Sequence, residues 1–289
     1  HRIAQRCYSA IMTRVDAHQH VWRVARGDYH WLTPDLPIHR DYTLDDLRPL
    51  LDDITATVLV QAAPTEAETE FMLTVARDSR TLVRGVVGWA DLAAPNAAAR
   101  VATLCETPGL KGLRPMLQDI ADTDWILRPV VQPALAAMTQ CGLRFDALIE
   151  PRHLPTLLLL AERHPRLPIV IDHAAKPAIA QGNFEPWASD IARVARATDA
   201  FCKLSGLATE AAPDWQDDDL RRYVDHLIDS FGPARLMWGS DWSVVELAGG
   251  YRRWRAASMY LLADLDAAAR DAILGGTACM FYDLGPRIE

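Results

Sequence analysis

The sequence lacks the features that mark several classes of protein. Its 289 residues include five cysteines, which are scattered along the chain and form no C-x-x-C pair. This spacing suits neither a disulfide framework nor a structural zinc site, and it favours a reducing, cytoplasmic setting. No apolar run approaches the roughly 20 residues that a membrane helix needs. We therefore expect no membrane partner.

An excess of positive charge is also missing. The chain has 30 lysine and arginine residues against 38 aspartate and glutamate residues, and its formal net charge is −8. This balance argues against nucleic acid as the main partner. The glycine-rich motifs G-x-G-x-x-G and G-x-x-x-x-G-K-[ST] are absent, so nothing indicates a dinucleotide or phosphate loop.

The domain organisation is simple. Residues 1–11 precede Met12 and match no pattern further along the chain, and we interpret them as a tag remnant or an upstream extension. No linker and no low-complexity run interrupts residues 12–289, of which about half are hydrophobic. A chain of this length and composition can bury one large core. We therefore expect one domain over residues 12–289.

Short apolar strands alternate with helical segments throughout residues 12–289. The predicted strands cover 14–20, 56–61, 82–89, 110–114, 143–148, 168–173, 200–205 and 235–241. Helices are predicted at 43–51, 65–79, 96–106, 129–140, 154–164, 185–197, 219–231, 251–262 and 266–274. Thr65 and Glu68 have the spacing of a capping box at the start of the second helix. Eight strand–helix repeats predict an α/β fold, a single (β/α)8 TIM barrel.

Polar residues gather where these strands end, which is where barrels of this kind place their active sites. His18 and His20 lie two residues apart, so on an extended strand they share a face and can hold a divalent metal or a substrate oxygen. The other strand ends supply Gln61, Arg114, Asp146, His173, Lys203 with Ser205, and Asp241. Trp22, Trp31, Trp89 and Trp242 suit a ring of aromatic groups around a sugar-like ligand, and the long segment 21–42 suits a loop folded over the site.

Each candidate also has a purely structural interpretation. His173 would be a buried histidine satisfied by backbone, and Asp241 would cap the following helix. Arg114 would be a structural ion-pair partner, and the tryptophans would belong to the core. The residues alone leave these alternatives open.

Several of these segments together resemble the amidohydrolase superfamily. The likeness is carried by Asp16-Ala17-His18-Gln19-His20, by Asp172-His173 and by Gly239-Ser240-Asp241. Residues 16–22, 60–63, 111–118, 151–154 and 238–242 are similar to its sugar-lactonase branch. That branch includes L-fuconolactonases, L-rhamnonolactonases and 2-pyrone-4,6-dicarboxylate lactonases. The run 116–120 is most similar to the fuconolactonase-like members.

The sequence departs from the family pattern at three places. Strand five ends in Phe145-Asp146 without a histidine, so the binuclear centre of many amidohydrolases is not expected. The resemblance implies either a single divalent metal, Zn²⁺ in the first instance, held by His18, His20 and Asp241, or no essential metal. Thr277 and Ser243 stand where these relatives usually have asparagine and proline.

The resemblance implies an enzyme that hydrolyses a sugar-acid lactone, an L-fucono-1,5- or 1,4-lactone-like aldonolactone above all. Asp241 would act as general base on water, and His18, His20 and His173 would act on the ring carbonyl. The residues expected to bind substrate are Trp31, Gln61, Trp89, Arg114, Asp146 and Trp242. The alternatives are a 2-pyrone-4,6-dicarboxylate lactonase, a metal-dependent decarboxylase, an amide or imide hydrolase, or an inactive sugar-binding barrel. We expect a monomer or a homodimer.

Overall fold

Eight parallel strands, paired in chain order, form the centre of the molecule. The computed structural model describes residues 13–79 and 81–285, so the extension predicted at residues 1–11 lies outside them. The strands are β1 (Val15–Gln19), β2 (Ala56–Val60), β3 (Val83–Gly88), β4 (Leu110–Leu113), β5 (Arg144–Ala147), β6 (Ile169–Ile171), β7 (Phe201–Leu204) and β8 (Leu236–Trp238). They are mostly apolar because both faces of the sheet are covered.

Helices surround this sheet. They are α1 (Leu44–Leu47), α2 (Glu66–Asp78), α3 (Ala97–Cys105), α4 (Gln132–Cys141), α5 (Leu154–Arg163), α6 (Trp187–Ala197), α7 (Asp217–Phe231), α8 (Tyr251–Leu261), α9 (Ala267–Asp271) and α10 (Thr277–Tyr282). The predicted (β/α)8 barrel is confirmed. In the part of the chain that the structure describes, no helix is both long and apolar enough to cross a membrane.

Two layers of buried side chains hold the barrel together. The larger one lies between the strands and the outer helices. The smaller one is formed by alternate strand residues and by α10, and it includes Val58, Val170, Met237 and Phe281. Because alternate strand residues face the same side, this second layer fills the barrel interior below the strand ends. The polar residues therefore lie above this layer, at the carboxyl ends of the strands.

The barrel closes where β8 meets β1. The backbone N–H of Asp241 donates to the carbonyl oxygen of His18 at 2.8 Å, and the N–H of His20 donates to the carbonyl of Trp242 at 2.5 Å. This seam joins residues more than 200 positions apart in the chain. It places His18, near the end of β1, and His20, just after β1, directly beside the aspartate that follows β8.

Two local expectations need correction. The helix predicted at 43–51 ends at Leu47 and continues as a 3-10 turn over Arg48–Leu50, which contains Pro49. The capping box at α2 is only half formed. Thr65 Oγ1 accepts the N–H of Glu68 at 3.1 Å, but the Glu68 carboxylate accepts the buried N–H groups of Ala62 and Ala63 instead of reaching back to residue 65.

The segment 21–42 folds back on itself and is held by aromatic contacts. Trp22 and Tyr42 pair their backbones, and their rings meet edge to face at 5.2 Å. Trp31 packs against Trp22 at 5.4 Å, and Trp242 packs against Tyr42 at 5.3 Å. These contacts hold the segment beside the loop that follows β8.

Candidate active site

A cavity of about 240 Å³ opens at the carboxyl ends of the strands. It is smaller than the roughly 300–1,000 Å³ of pockets for drug-sized ligands, so it suits a ligand of monosaccharide size. Its lining residues come from the segments after seven strands: His20, Trp31, Ala62, Arg114, Met116, Gln118, Asp119, Leu148, His173, Lys176, Thr209, Glu210, Asp241 and Val244.

Three imidazole rings converge on one carboxylate oxygen at this cavity. The Nε2 atom of His20 lies 3.3 Å from Asp241 Oδ1, and the Nε2 atoms of His18 and His173 each lie 3.8 Å from it. All four side chains are buried. Asp241 Oδ1 accepts no hydrogen bond from the described residues. The structure therefore brings together the four residues for which a catalytic role is predicted.

Each ring is fixed through its other nitrogen. His20 Nδ1 lies 2.7 Å from the carbonyl oxygen of Val60, and His173 Nδ1 lies 2.9 Å from Ser205 Oγ. A carbonyl oxygen can only accept, so neutral His20 carries its proton on Nδ1 and a lone pair on Nε2. His20 Nε2 thus faces an oxygen of Asp241 to which none of the described residues donates a hydrogen bond.

Burial sets the charge states at this centre. It lowers the pKa of His173 to about 4, and together with the nearby Lys203 ammonium it holds the pKa of His18 well below its usual value. Burial alone would raise the pKa of Asp241, but the neighbouring imidazole groups, His173 first, outweigh it and lower that pKa. At neutral pH the Asp241 carboxylate therefore faces the neutral imidazoles of His18 and His173.

This donor set fits a divalent cation. Ligand atoms of His18, His173 and Asp241 all lie within 4.8 Å of one another, and the orphaned Asp241 Oδ1 has room for a positive partner. Imidazole nitrogen with carboxylate oxygen is a set that Zn²⁺ accepts. The ligands that the sequence predicts also lie together, because His20 Nε2 is 3.2 Å from His18 Nε2 and 3.3 Å from Asp241 Oδ1. His173 is a further candidate ligand that the structure adds.

Arg114 brings a permanent positive charge to the same centre. Its Nη1 lies 3.3 Å from His18 Nε2 and donates to Asp172 at 3.2 Å, while Nη2 donates to the carbonyl oxygen of Gln61. The Gln61 amide in turn donates to the Arg114 carbonyl at 2.7 Å. Arg114 lines the cavity, and Gln61, which does not line it, holds Arg114 in place.

Asp146 lies below the cavity and does not line it. Its Oδ2 accepts hydrogen bonds from Lys203 Nζ and from the hydroxyl of Tyr282, each at 2.6 Å. Lys203 also contacts Asp172 at 2.9 Å and His18 Nδ1 at 3.1 Å. These charged side chains are fully buried. They form a support beneath His18.

Of the three tryptophans predicted to bind substrate, one lines the cavity. Trp31 does so, and its indole N–H donates to the Ala62 carbonyl at 2.7 Å. Trp89 lines a neighbouring pocket of about 170 Å³ that shares Met116 and Asp119 with the cavity. Trp242 is buried against Tyr42, where it fixes the segment 21–42.

Five polar lining residues are absent from the residues that the sequence predicts for the site: Gln118, Asp119, Lys176, Thr209 and Glu210. All five lie in the segments that follow β4, β6 and β7 rather than at the strand ends themselves. Their position shortly after a predicted strand end is the signal that could have found them.

Comparison with known proteins places this geometry in context. Residues 15–284 match the model of the amidohydrolase family. The chain is 48% identical to L-fucono-1,5-lactonase of Burkholderia ambifaria, over 93% of this chain and 95% of that protein. It is 38% identical to L-fucono-1,5-lactonase of Burkholderia multivorans, over 94% of this chain and 96% of that protein.

A solved structure has the same architecture. An amidohydrolase from Burkholderia multivorans with bound zinc superposes with a TM-score of 0.88 at 36% identity. The match covers 94% of this chain and all of that one. The zinc belongs to that protein, and it agrees with the fit of a divalent cation to the donor set described above.

Proposed function

The chain belongs to the amidohydrolase family, and we propose that it hydrolyses the ring ester of a sugar-acid lactone, L-fucono-1,5-lactone or a close relative, to the aldonic acid. The observation that carries this proposal is the convergence of His18, His20 and His173 on Asp241 at a small polar cavity. The relatives at 48% and 38% identity support the choice of substrate class.

The charges that line the cavity favour a neutral lactone over a pyrone dicarboxylate. Asp119, Glu210 and Asp241 supply three carboxyl groups, and the lining cations are Arg114 and Lys176. Arg114 is already paired with Asp172. A dianionic substrate would therefore meet net repulsion, whereas a polyhydroxylated neutral ring would meet both hydrogen-bond donors and acceptors.

Asp241 is the general base in the proposed reaction. It takes a proton from water as the water oxygen attacks the lactone carbonyl carbon, and a tetrahedral oxyanion forms. The Arg114 guanidinium, beside His18, is the cation placed to stabilise that oxyanion. The bond from the carbonyl carbon to the ring oxygen then breaks, and Asp241 returns its proton to the ring oxygen. One water is consumed, and a hydroxy acid is formed.

Residues His18, His20, His173 and Asp241 would hold a divalent metal. Such an ion would polarise the carbonyl and lower the pKa of the attacking water. The Arg114 guanidinium lies 3.3 Å from His18 Nε2, and the Lys203 ammonium lies 3.1 Å from His18 Nδ1. Both cations are paired with buried carboxyl groups, Arg114 with Asp172 and Lys203 with Asp146 and Asp172, so the Asp241 carboxylate remains to attract the ion.

A pH-indicator assay on a panel of lactones tests the function. We expect rapid acid release from L-fucono-1,5-lactone and related aldonolactones, and little from 2-pyrone-4,6-dicarboxylate or from cyclic amides. Product analysis should find a hydroxy acid and no CO₂, which separates lactonase from decarboxylase. Tight binding of aldonolactones without acid release would instead support an inactive sugar-binding barrel.

The same assay with a chelator tests the role of metal. Because Arg114 already supplies positive charge at the centre, we expect activity on L-fucono-1,5-lactone to survive dialysis against a chelator with a loss of about tenfold or less. Metal analysis of the dialysed protein by mass spectrometry is the control. Complete loss of activity that returns with Zn²⁺ would show that the ion, and not Arg114, is the main electrophile.

A further inference from the structure

A left-handed turn follows β6 and leads directly out of the histidine centre. His173, Ala174, Ala175 and Lys176 have φ values of 52°, 51°, 59° and 52°, and none of them is glycine. Four consecutive L-residues in this region are unfavourable, and such a conformation persists only where the surroundings enforce it. Strained backbone of this kind clusters at functional sites.

Specific contacts enforce the turn. The indole N–H of Trp187 donates to the Ala174 carbonyl at 2.7 Å, and the N–H of Lys176 donates to the His173 carbonyl at 2.8 Å. Ala174 and Ala175 are fully buried. The result is that His173 and Lys176, three residues apart, both line the same cavity.

The segment after β7 is packed against this turn. A Cβ atom at Gly206 would lie 2.5 Å from His173 Nδ1, so this position accepts only glycine while the ring keeps its place. Further along, the N–H of Ala180 donates to the Glu210 carbonyl at 2.9 Å and joins the two segments. Glu210 is thereby placed beside Lys176 at the cavity wall.

Lys176 and Glu210 face each other but are too far apart to form a hydrogen bond. Lys176 Nζ lies 3.9 Å from Glu210 Oε1, which is beyond hydrogen-bond distance, and each side chain is about one quarter exposed. Among the residues that the structure describes, neither charged group makes a side-chain hydrogen bond. The ammonium protons and the carboxylate lone pairs are therefore free for a ligand in the cavity.

The pair shares its electrostatic environment with the reaction centre. Burial raises the pKa of Glu210, the Lys176 charge opposes that rise, and the Asp241 carboxylate adds to it. Lys176 likewise contributes to the lowered pKa of His173, after burial. A ligand whose carbonyl lies at Asp241 is thus within the field of both groups.

We propose that Lys176 and Glu210 determine substrate specificity by binding the ring hydroxyl groups of the lactone, the ammonium as donor and the carboxylate as acceptor. A hydroxyl group both donates and accepts, so neighbouring hydroxyls on a sugar ring complement this pair. The inference rests on the proposed lactonase function and adds the residues that distinguish a sugar lactone from a plain one. Neither residue takes part in bond breaking.

The test compares two six-membered lactones, L-fucono-1,5-lactone and δ-valerolactone, which has no ring hydroxyls. We expect Lys176→Met and Glu210→Met each to lower kcat/KM for L-fucono-1,5-lactone by about 10- to 100-fold, the usual effect of losing a hydrogen bond to a charged group. Activity on δ-valerolactone should change by less than about threefold, because the lost contact has no partner there.

Binding without turnover gives an independent measurement. In an Asp241→Asn background, calorimetric titration should show L-fucono-1,5-lactone binding weakened by the same factor when Lys176→Met or Glu210→Met is added. The matched control is Asp225→Asn, which removes a surface ion pair of the same 3.9 Å length, and it should change neither substrate.

Two results would overturn the assignment. Equal losses on both lactones would place the pair in the chemistry or in folding, and unchanged kinetics and binding would leave it no role in recognition. If the unaltered protein releases no acid from either lactone, the proposed function itself fails. That outcome is distinct from a change in selectivity.

Discussion

Asp241 combines a strained backbone with an unsatisfied side chain. Its φ of +56° is unusual for a residue other than glycine, and its buried Oδ1 receives no hydrogen bond from the part of the chain that the structure describes. Both features cost free energy, and residues that carry such costs cluster at functional sites. The lowered pKa of Asp241 keeps its carboxylate ionised at neutral pH, so the group is available to accept a proton from water.

We expect Asp241→Asn to lower kcat on L-fucono-1,5-lactone by about 10²–10⁴-fold, because the amide has the same shape but cannot accept the proton. The melting temperature should fall, because the lowered pKa of Asp241 means that the folded protein favours the ionised carboxylate over a neutral group. Steady-state kinetics and calorimetry measure the two effects. An asparagine variant with wild-type turnover would remove Asp241 from the role of general base.

Residue roles were predictable where backbone position alone decides them. His18, His20, His173 and Asp241 lie at or shortly after the carboxyl ends of strands in a barrel, so they meet at one end of it whatever their neighbours are. The roles of Asp146 and Trp242 depend on the direction of the side chain. Asp146 points down to Lys203, and Trp242 points out to Tyr42. No local pattern in the sequence contains those contacts.

At the scale of elements, a buried ammonium joins three neighbouring strands. Lys203 on β7 contacts Asp146 on β5 at 2.6 Å and Asp172, at the end of β6, at 2.9 Å. All three side chains are fully buried. Such a cluster is stable while it is complete, and it is costly once one charge is left alone.

Lys203→Met is expected to lower the free energy of unfolding by about 3–5 kcal/mol, because two buried carboxylates lose their shared cation. Urea unfolding followed by circular dichroism measures the loss. Adding Asp146→Asn to the same variant should recover part of it, since one of the stranded charges is then removed. A single variant as stable as the wild type would show that Arg114 alone can balance Asp172.

Helix α2 carries a carboxyl group that ties it to the loop after β2. Burial raises the pKa of Glu68 to about 7, although the N–H groups of Ala63 and Ala62 pull it down. The folded protein therefore keeps this proton between the ordinary pKa of 4.5 and about 7, where the unfolded chain loses it. The stabilisation is complete below pH 4.5 and is lost as pH rises through about 7.

In the wild type, titration of Glu68 should lower the free energy of unfolding by about 3 kcal/mol between pH 4.5 and 7, which corresponds to the difference between the two pKa values. Glu68→Gln should remove this decrease. Urea unfolding at several pH values measures the slope. Glu70→Gln, on the exposed side of the same helix, is the control and should leave the slope unchanged. Identical slopes for the Glu68 variant and the wild type would show that the Glu68 carboxyl titrates alike in the folded and unfolded chain.

At the scale of the whole molecule, the alternation of strands and helices was sufficient to predict the barrel. Each repeat buries an apolar strand under a helix, and this local pattern is visible in the sequence. The closure of the barrel is not local. It pairs the segment after β1 with the segment after β8, and it brings residues 18 and 241 into one hydrogen bond. The catalytic geometry depends on that closure.

Asp16 is the side chain that reinforces the closure. Its Oδ1 accepts the N–H of Ser240 at 2.8 Å and the N–H of His18 at 3.2 Å, so one oxygen bridges the first and last strands of the barrel. Burial raises the pKa of Asp16 to about 6, although its hydrogen bonds with Ser240 oppose the rise. The bridge therefore depends more on an acceptor at this position than on a charge.

Replacement of Asp16 tests whether this bridge aligns the site. Asp16→Ala leaves two buried N–H groups unpaired and should cost about 2–5 kcal/mol in unfolding free energy, with a fall in kcat as His18 and Asp241 lose their alignment. Asp16→Asn keeps an oxygen acceptor of the same shape, so it should stay within about 1 kcal/mol of the wild type and retain most of its turnover. If the alanine and asparagine variants behave alike in both measurements, the backbone bonds of the seam suffice to align the site, and the carboxylate of Asp16 contributes nothing to it.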